Sequence, residues 1–202
     1  MDLETQRLNQ PLSSSIIVID NFYEDPFYVR EFCLKRTSEF VPHNFHPGIR
    51  TNSYASLHHR EMFDSIIEPF YGKIVKFETS KESTNSNGSF QLNVSHDDKS
   101  WIHVDSSVYN WAGIIYLTPD APVSGGTGFF KYKNGDILEL SLEQGKKNGK
   151  DNSKWEIVST IGNIFNRLVL FRANQYHMSL DYFGEDFNDG RLIQLFFFST
   201  EK

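Results

Sequence analysis

The chain has a single cysteine, Cys33, among its 202 residues. One thiol excludes an intramolecular disulfide and fits a reducing compartment, so we predict a cytoplasmic, intracellular protein. The apolar neighbours in Phe32-Cys33-Leu34 predict that this thiol lies in the core of a helix and is not reactive.

The sequence also lacks the features that are typical of membrane, secreted and nucleic-acid-binding proteins. No apolar run approaches the roughly 20 residues that a membrane-spanning helix needs, and Met1-Asp2-Leu3-Glu4 lacks the basic-then-apolar start of a signal peptide. Lys and Arg are scattered under a net charge of −6, with no basic stripe of the kind that binds nucleic acid. We therefore predict no membrane partner and no clear nucleic-acid binding, while a nucleotide-sized substrate stays open and the oligomeric state is undetermined.

Aromatic residues are abundant, with 18 Phe and 9 Tyr, and they favour a sheet-rich protein. Predicted helices come first and strands follow without regular alternation, which indicates an antiparallel sheet sandwich with helices on one side and not a parallel α/β fold. We predict a flexible segment over residues 1–14 and one domain over residues 15–202.

Local patterns predict the elements. Ile16 to Ile19 is a β-branched run and predicts a strand, and Asp25-Pro26 predicts a helix start with Asp as the cap. Residues 41–48 carry turn chemistry and predict a loop. A second helix is predicted from Leu57 to Phe70, ending near Pro69 and Gly72. Further strands are predicted over residues 74–77, 90–94, 111–117, 129–130, 168–171 and 191–198.

The stretch Trp101-Ile102-His103-Val104-Asp105 carries the main chemical signal. On an extended strand, His103 and Asp105 point to the same side, because side chains alternate with a period of two. His177, beyond a later strand, would complete a set of two imidazoles and one carboxylate, which suits non-haem Fe(II). Taken alone, the pair also fits a buried, hydrogen-bonded histidine and a turn aspartate.

Several other residues are ambiguous. Gln91 and Asn93 share one face of a predicted strand, which fits either a polar pocket or the wet face of an antiparallel sheet. Trp101 and Trp111 flank the His-x-Asp stretch and either stack on a substrate or belong to the core. Four further histidines are predicted to face solvent or the rim of a pocket: His43, His46, His58 and His59.

The order of these parts resembles the 2-oxoglutarate and Fe(II)-dependent dioxygenases, nearest the prolyl-hydroxylase-like branch. The resemblance covers roughly residues 15–198 and rests on five features in order. They are His103-Val104-Asp105, Tyr116-Leu117 at the end of a strand, the Gly125-Gly126 turn, His177, and Arg191 at the start of the last strand. The chain departs from the family after the Gly-Gly turn, where Thr127-Gly128 replaces an acidic residue and Thr.

The resemblance implies a double-stranded β-helix, or jelly-roll, core with N-terminal helices packed on the major sheet. It implies that Fe(II) is held by His103, Asp105 and His177. It also implies that Arg191 pairs with the distal carboxylate of 2-oxoglutarate, which Tyr116 contacts in some relatives. Asn93 falls where some relatives place a Tyr that lines the cosubstrate site.

The reaction implied is hydroxylation of a substrate with O2, coupled to conversion of 2-oxoglutarate to succinate and CO2. An arginine on an apolar strand independently requires an anionic partner, unless it reaches water. The substrate is not readable: a peptidyl proline is the nearest family analogy, and a free amino acid, small metabolite or nucleobase also fits.

Two alternatives remain open. Two His and one Asp also hold Zn(II) in hydrolases, although we identify no Glu near the triad as the general base. A jelly-roll protein without oxygenase activity can also act as a metal-binding or scaffold module.

Overall fold

The computed structural model describes residues 15–43, 46–81, 86–105, 108–133 and 147–202. The predicted flexible segment 1–14 lies outside these residues. The helices used below are α1 (Pro26–Leu34) and α2 (Leu57–Tyr71). The strands are β1 (Ile16–Ile19), β2 (Val41–His43), β3 (His46–Arg50), β4 (Ile74–Lys76), β5 (Phe90–Asn93), β6 (Trp111–Tyr116), β7 (Thr127–Tyr132), β8 (Trp155–Ile161), β9 (Leu168–Arg172), β10 (His177–Ser179) and β11 (Arg191–Thr200).

The strands form two antiparallel sheets. The larger sheet has the order β1-β9-β6-β11-β5-β3-β2, with β4 also paired to β11. The smaller sheet has the order β10-β7-β8. Helices are few and no described pair of strands is parallel, so the prediction of a mainly β, antiparallel protein is confirmed.

The two faces of the larger sheet bury different clusters. On β5, Phe90 and Leu92 point to the helices, whereas Gln91 and Asn93 point the other way. The same alternation, which follows from the period of two along a strand, runs through β6, β9 and β11. One apolar cluster therefore lies between the sheet and the helices, and a second lies on the opposite face. The predicted packing of N-terminal helices on the larger sheet is confirmed.

Helix α1 begins as its sequence predicts. The Asp25 carboxylate accepts a hydrogen bond of 2.9 Å from the backbone N–H of Tyr28, and Pro26 is the first helical residue. Cys33 is fully buried in the helix core, and burial raises the pKa of its thiol to about 12. The prediction of an inert core cysteine is confirmed. In the described part of the chain, no helix has the length and apolar character needed to cross a membrane.

One local prediction was wrong. Residues 41–43 and 46–48 are not a loop, because β2 and β3 pair there as the edge of the larger sheet. The turn residues Pro47 and Gly48 lie inside β3, where Pro47 needs no N–H and Gly48 adopts a φ of 74°. The predicted second helix is confirmed: α2 runs from Leu57 to Tyr71, whose ring packs 4.9 Å from Trp111, and Gly72 then caps it.

His59 is not at a rim, because it caps α2 from within. Its Nδ1 accepts a hydrogen bond of 3.2 Å from the backbone N–H of Ser56, and its ring packs 5.0 Å from Phe196. Burial lowers the pKa of His59 to about 4. The folded protein therefore holds this imidazole neutral, with the proton on Nε2.

We expect this histidine to make the fold sensitive to acid. The pKa is about 6.5 in the unfolded chain and about 4 in the fold, so the unfolded state binds the proton first as pH falls. The contribution is complete above pH 6.5 and decreases toward pH 4, by roughly 3 kcal/mol in all. Urea unfolding at pH 7 and pH 4.5 measures the loss.

The His59→Gln variant should show a shallower dependence of the unfolding free energy on pH between 6.5 and 4. His177, whose pKa is also lowered by burial, keeps the slope from vanishing in metal-free protein. The neighbouring His58 is exposed, and His58→Gln is the matched control that should keep the full slope. Equal slopes in the two variants would contradict this assignment.

Candidate metal centre

The two predicted metal-ligand histidines lie opposite each other on antiparallel backbone. The N–H of His103 donates to the carbonyl of His177 at 3.0 Å, and the N–H of His177 donates back at 2.9 Å. The segment around His103 makes only this isolated bridge and is not a regular strand. The reciprocal pair nevertheless brings the ring centroids within 4.6 Å of each other.

Asp105 joins the histidines from the same side of its segment. One of its carboxylate oxygens lies 3.7 Å from Nε2 of His103, and the other lies 3.4 Å from Nε2 of His177. Potential ligand atoms of all three residues lie within 4.8 Å of one another, and the described residues contain no other such group. Neighbouring donors around an octahedral metal are about 3 Å apart, so a small contraction would suffice to bind an ion.

The hydrogen bonds of the two Nδ1 atoms determine which ring nitrogens of His103 and His177 face Asp105. Nδ1 of His103 is 2.7 Å from the carbonyl of Trp101, and Nδ1 of His177 is 2.9 Å from the carbonyl of Gln175. A carbonyl only accepts, so each Nδ1 carries a proton, and in the neutral form of each ring the lone pair of Nε2 is turned toward Asp105. Lone pairs and carboxylate oxygens repel unless a cation lies between them, and the donor set therefore fits a divalent metal.

His177 is set in an apolar wall. Its ring centroid lies 4.5 Å from that of Phe171 and 6.4 Å from that of Phe129. Burial lowers the pKa of His177, which the nearby Asp105 carboxylate opposes in part. A neutral imidazole is the form that binds a metal, so burial keeps this ligand ready.

Arg191 is fully buried with an incomplete set of partners. Its Nε donates to the carbonyl of Gly125 at 2.8 Å, whereas Nη1 and Nη2 are buried without a hydrogen-bond partner among the described residues. The alternative that this arginine reaches water is excluded, because its exposure is 0%. An unpaired buried guanidinium is costly, and its two outer nitrogens match the oxygens of a carboxylate.

The predicted companions of Arg191 lie close to it. The Tyr116 ring centroid is 5.5 Å from the guanidinium carbon, and its hydroxyl hydrogen-bonds the Thr127 hydroxyl at 2.7 Å. Burial raises the pKa of Tyr116, so the phenol stays neutral. At Gly126, a Cβ would lie 2.0 Å from the carbonyl oxygen of Ile161. The Gly-Gly sequence therefore permits the close approach that leaves the Gly125 carbonyl beside Arg191.

A cavity of about 110 Å³ adjoins the triad, and its lining includes His103, Asp105 and His177. The polar-pocket interpretation of β5 is confirmed for Gln91, which also lines it. Asn93 is fully buried and accepts a hydrogen bond of 2.8 Å from Gln91. Asn93 does not line the cavity itself but is hydrogen-bonded to Gln91, which does. Its predicted role toward the cosubstrate stays a prediction.

Three lining residues were missed in the sequence: Arg50, Ser179 and Tyr182. Arg50 lies on β3, which was predicted as a loop, so its alternation with Ile49 carried no weight. A charged residue between the apolar Ile49 and the buried Thr51 was the one local signal that could have identified Arg50.

The structure shows where the two tryptophans and the other histidines lie. Trp111 is a core residue with 0% exposure, whereas the half-buried Trp101 has its ring 5.9 Å from that of His103. His46 lines the cavity and His58 is exposed, as predicted. His43 ends β2, next to residues 44–45, which are outside the described ranges.

Comparisons of sequence identify one match. A family model described as "Family of unknown function (DUF6445)" matches residues 2–198. No curated protein matches the sequence.

Comparisons of structure identify many similar folds. HygX from Streptomyces hygroscopicus, solved with nickel, 2-oxoglutarate and hygromycin B bound, is 11% identical with a TM-score of 0.66, over 100% of this chain and 88% of that one. HygX with iron bound is 10% identical with a TM-score of 0.60, over 100% and 87%. A prolyl hydroxylase from Trichoplax adhaerens, in complex with a hypoxia inducible factor peptide fragment, is 15% identical with a TM-score of 0.56, over 96% and 86%.

These neighbours are 2-oxoglutarate/Fe(II)-dependent oxygenases, and the resemblance inferred from the order of motifs is confirmed as a likeness of fold. Sequence identities of 10–15% show a similar fold and do not show a shared chemistry.

Proposed function

The chain belongs to the DUF6445 family, whose function is unknown, and we propose that it is a non-haem Fe(II) and 2-oxoglutarate-dependent dioxygenase. It would hydroxylate a peptidyl proline or a small molecule and release succinate and CO2. His103, Asp105 and His177 would hold the metal. Arg191 would bind the distal carboxylate of 2-oxoglutarate, beside Tyr116.

The proposal rests on the buried guanidinium of Arg191, whose two outer nitrogens have no hydrogen-bond partner among the described residues. A fold does not bury two unpaired nitrogens of a charged group without a compensating ligand. The missing partner has to be anionic and forked, and it has to reach the same interior as the metal triad. The distal carboxylate of a keto acid that chelates the metal meets all three conditions.

The chain's own residues organise this site in two ways. The carbonyls of Trp101 and Gln175 orient the two imidazoles. Phe171, Leu195 and Phe197 give the cavity apolar walls that limit water. Fe(II), when bound, would supply O2 activation coupled to oxidation of the keto acid.

The sheet order supports the jelly-roll part of the proposal. The sequence β5-β11-β6-β9 in the larger sheet faces the His103 bridge, β10, β7 and β8 in the smaller one. We propose that these eight segments form a double-stranded β-helix and that residues 15–202 act as one domain in a reducing compartment.

The direct test is an assay of the purified protein for Fe(II)- and ascorbate-dependent conversion of 2-oxoglutarate to succinate. We expect succinate above the metal-free control, slowly without substrate and faster with it. A zinc hydrolase or a binding module would produce none. Calorimetric titration of 2-oxoglutarate into protein loaded with Mn(II) under nitrogen tests the binding step separately, so a slow uncoupled reaction cannot hide a competent site.

A further inference from the structure

A second arginine, Arg50, enters the cavity from β3. Its backbone is paired with Gln91 of β5, whereas Arg191 is paired with Asn93. Because β3 lies beyond β5 from β11, Arg50 is nearer the sheet edge than Arg191. It lines the cavity together with His103, Asp105 and His177, whereas Arg191 is not among the lining residues.

The guanidinium of Arg50 is held only by neutral groups. Nε donates to the Gln91 side-chain carbonyl at 3.0 Å, Nη2 donates to the same oxygen, and Nη1 donates to the Ser86 hydroxyl at 3.0 Å. Gln91 is itself anchored, since its amide donates to Asn93 at 2.8 Å. The described residues thus accept three of the five N–H bonds of this arginine, which preorganises the side chain and leaves two N–H bonds without a partner among those residues.

Arg50 makes no ion pair with any carboxylate in the described ranges. Burial lowers its pKa to about 10, and the charges of Asp105 and Tyr182 oppose that shift. The guanidinium is therefore cationic at neutral pH, in a half-buried position where an unpaired charge is unfavourable.

The other charges of the proposed complex balance one another without Arg50. Asp105 and a 2-oxoglutarate dianion would balance a divalent metal and Arg191. Arg50 would then remain as one uncompensated positive charge in the cavity that adjoins the triad. A ligand with one negative charge would neutralise it.

We propose that Arg50 is a specificity-determining residue that binds a carboxylate of the substrate. The inference rests on the proposed function and narrows its substrate class to an acid, either a free carboxylic acid or an acidic residue of a peptide. The same charge disfavours a cationic substrate through repulsion. Asn93 acts as a positioning residue in this arrangement, because it holds Gln91 against Arg50.

The test compares shape-matched acids and amides. Benzoate and benzamide, and isobutyrate and isobutyramide, are titrated calorimetrically into wild-type protein saturated with Mn(II) and 2-oxoglutarate under nitrogen. We expect each acid to bind at least about 10-fold more tightly than its amide, as one charge-assisted pair provides. Arg50→Gln should abolish this preference, and Arg50→Lys should retain part of it.

Two controls separate an effect of the Arg50 charge on the acid from a general loss of binding. Arg50→Gln should change the Kd of 2-oxoglutarate by less than about threefold, and Arg60→Gln, in α2 outside the cavity lining, should leave the acid preference intact. Equal binding of acid and amide to the wild type, or binding of neither, overturns the inference. So does a loss of 2-oxoglutarate affinity in Arg50→Gln as large as that in Arg191→Met.

Failure of the proposed function has a different signature. If the wild type does not bind 2-oxoglutarate with Mn(II), the dioxygenase proposal fails. The acid and amide pairs are then titrated into metal-free protein, where loss of the acid preference in Arg50→Gln still supports the anion site and its persistence overturns it.

Discussion

Asp105→Ala is expected to reduce Fe(II)-dependent conversion of 2-oxoglutarate to background. The substitution removes the only carboxylate of the triad and leaves two imidazoles, whose Nε2 atoms lie 3.7 and 3.4 Å from its oxygens in the wild type. Loss of outer-shell residues already weakens metal sites by about 10–100-fold, so loss of a direct ligand should weaken Mn(II) binding by at least about 100-fold. Calorimetric titration of Mn(II) and the succinate assay measure the two effects.

Asp98→Ala is the matched control, because this aspartate is exposed and nearby in sequence but does not line the cavity. It should bind Mn(II) and turn over as the wild type does. Full activity in Asp105→Ala would show that the triad is misassigned. Loss of folding is detected independently by the midpoint of thermal unfolding.

Arg191→Met is expected to have two effects of opposite sign. The affinity for 2-oxoglutarate should fall about 30- to 700-fold, which corresponds to about 2–4 kcal/mol for one partner of a buried charge pair. The unfolding free energy of the ligand-free protein should rise by about 1–3 kcal/mol, because replacing an uncompensated buried charge with an apolar side chain stabilises a fold. The loss of one hydrogen bond to Gly125 reduces the gain.

Arg167→Met is the contrasting control. Arg167 is paired with both oxygens of Asp20, at 2.6 and 2.9 Å, and lies outside the cavity lining. Its removal should leave 2-oxoglutarate binding unchanged and should not stabilise the protein. A structural role for Arg191 predicts destabilisation with unchanged affinity in Arg191→Met, and that result would refute the cosubstrate assignment.

The fold was predictable where a local rule decides the outcome. The start of α1 depends on one capping contact between Asp25 and the N–H of Tyr28. The inward and outward residues of β5, β6 and β11 follow from the period of two. Both rules act within a few residues, so sequence alone is sufficient for them.

Local rules failed where tertiary contacts override them. Pro47 and Gly48 carry turn chemistry, yet pairing with β5 holds β3 extended. The favourable interaction there comes from residues that are distant in the sequence.

The candidate site also combines features that follow from the local sequence with features that depend on tertiary contacts. By itself, the sequence determined that His103 and Asp105 share one side of their segment and that Arg191 opens an apolar strand. Only the tertiary structure decided that His177 is the histidine that meets them, through the reciprocal backbone bonds between His103 and β10. It also decided that the outer nitrogens of Arg191 have no partner among the described residues and that Arg50 lines the cavity of the triad. The physical reason is that strand register sets these distances, and register depends on the packing of both sheets together.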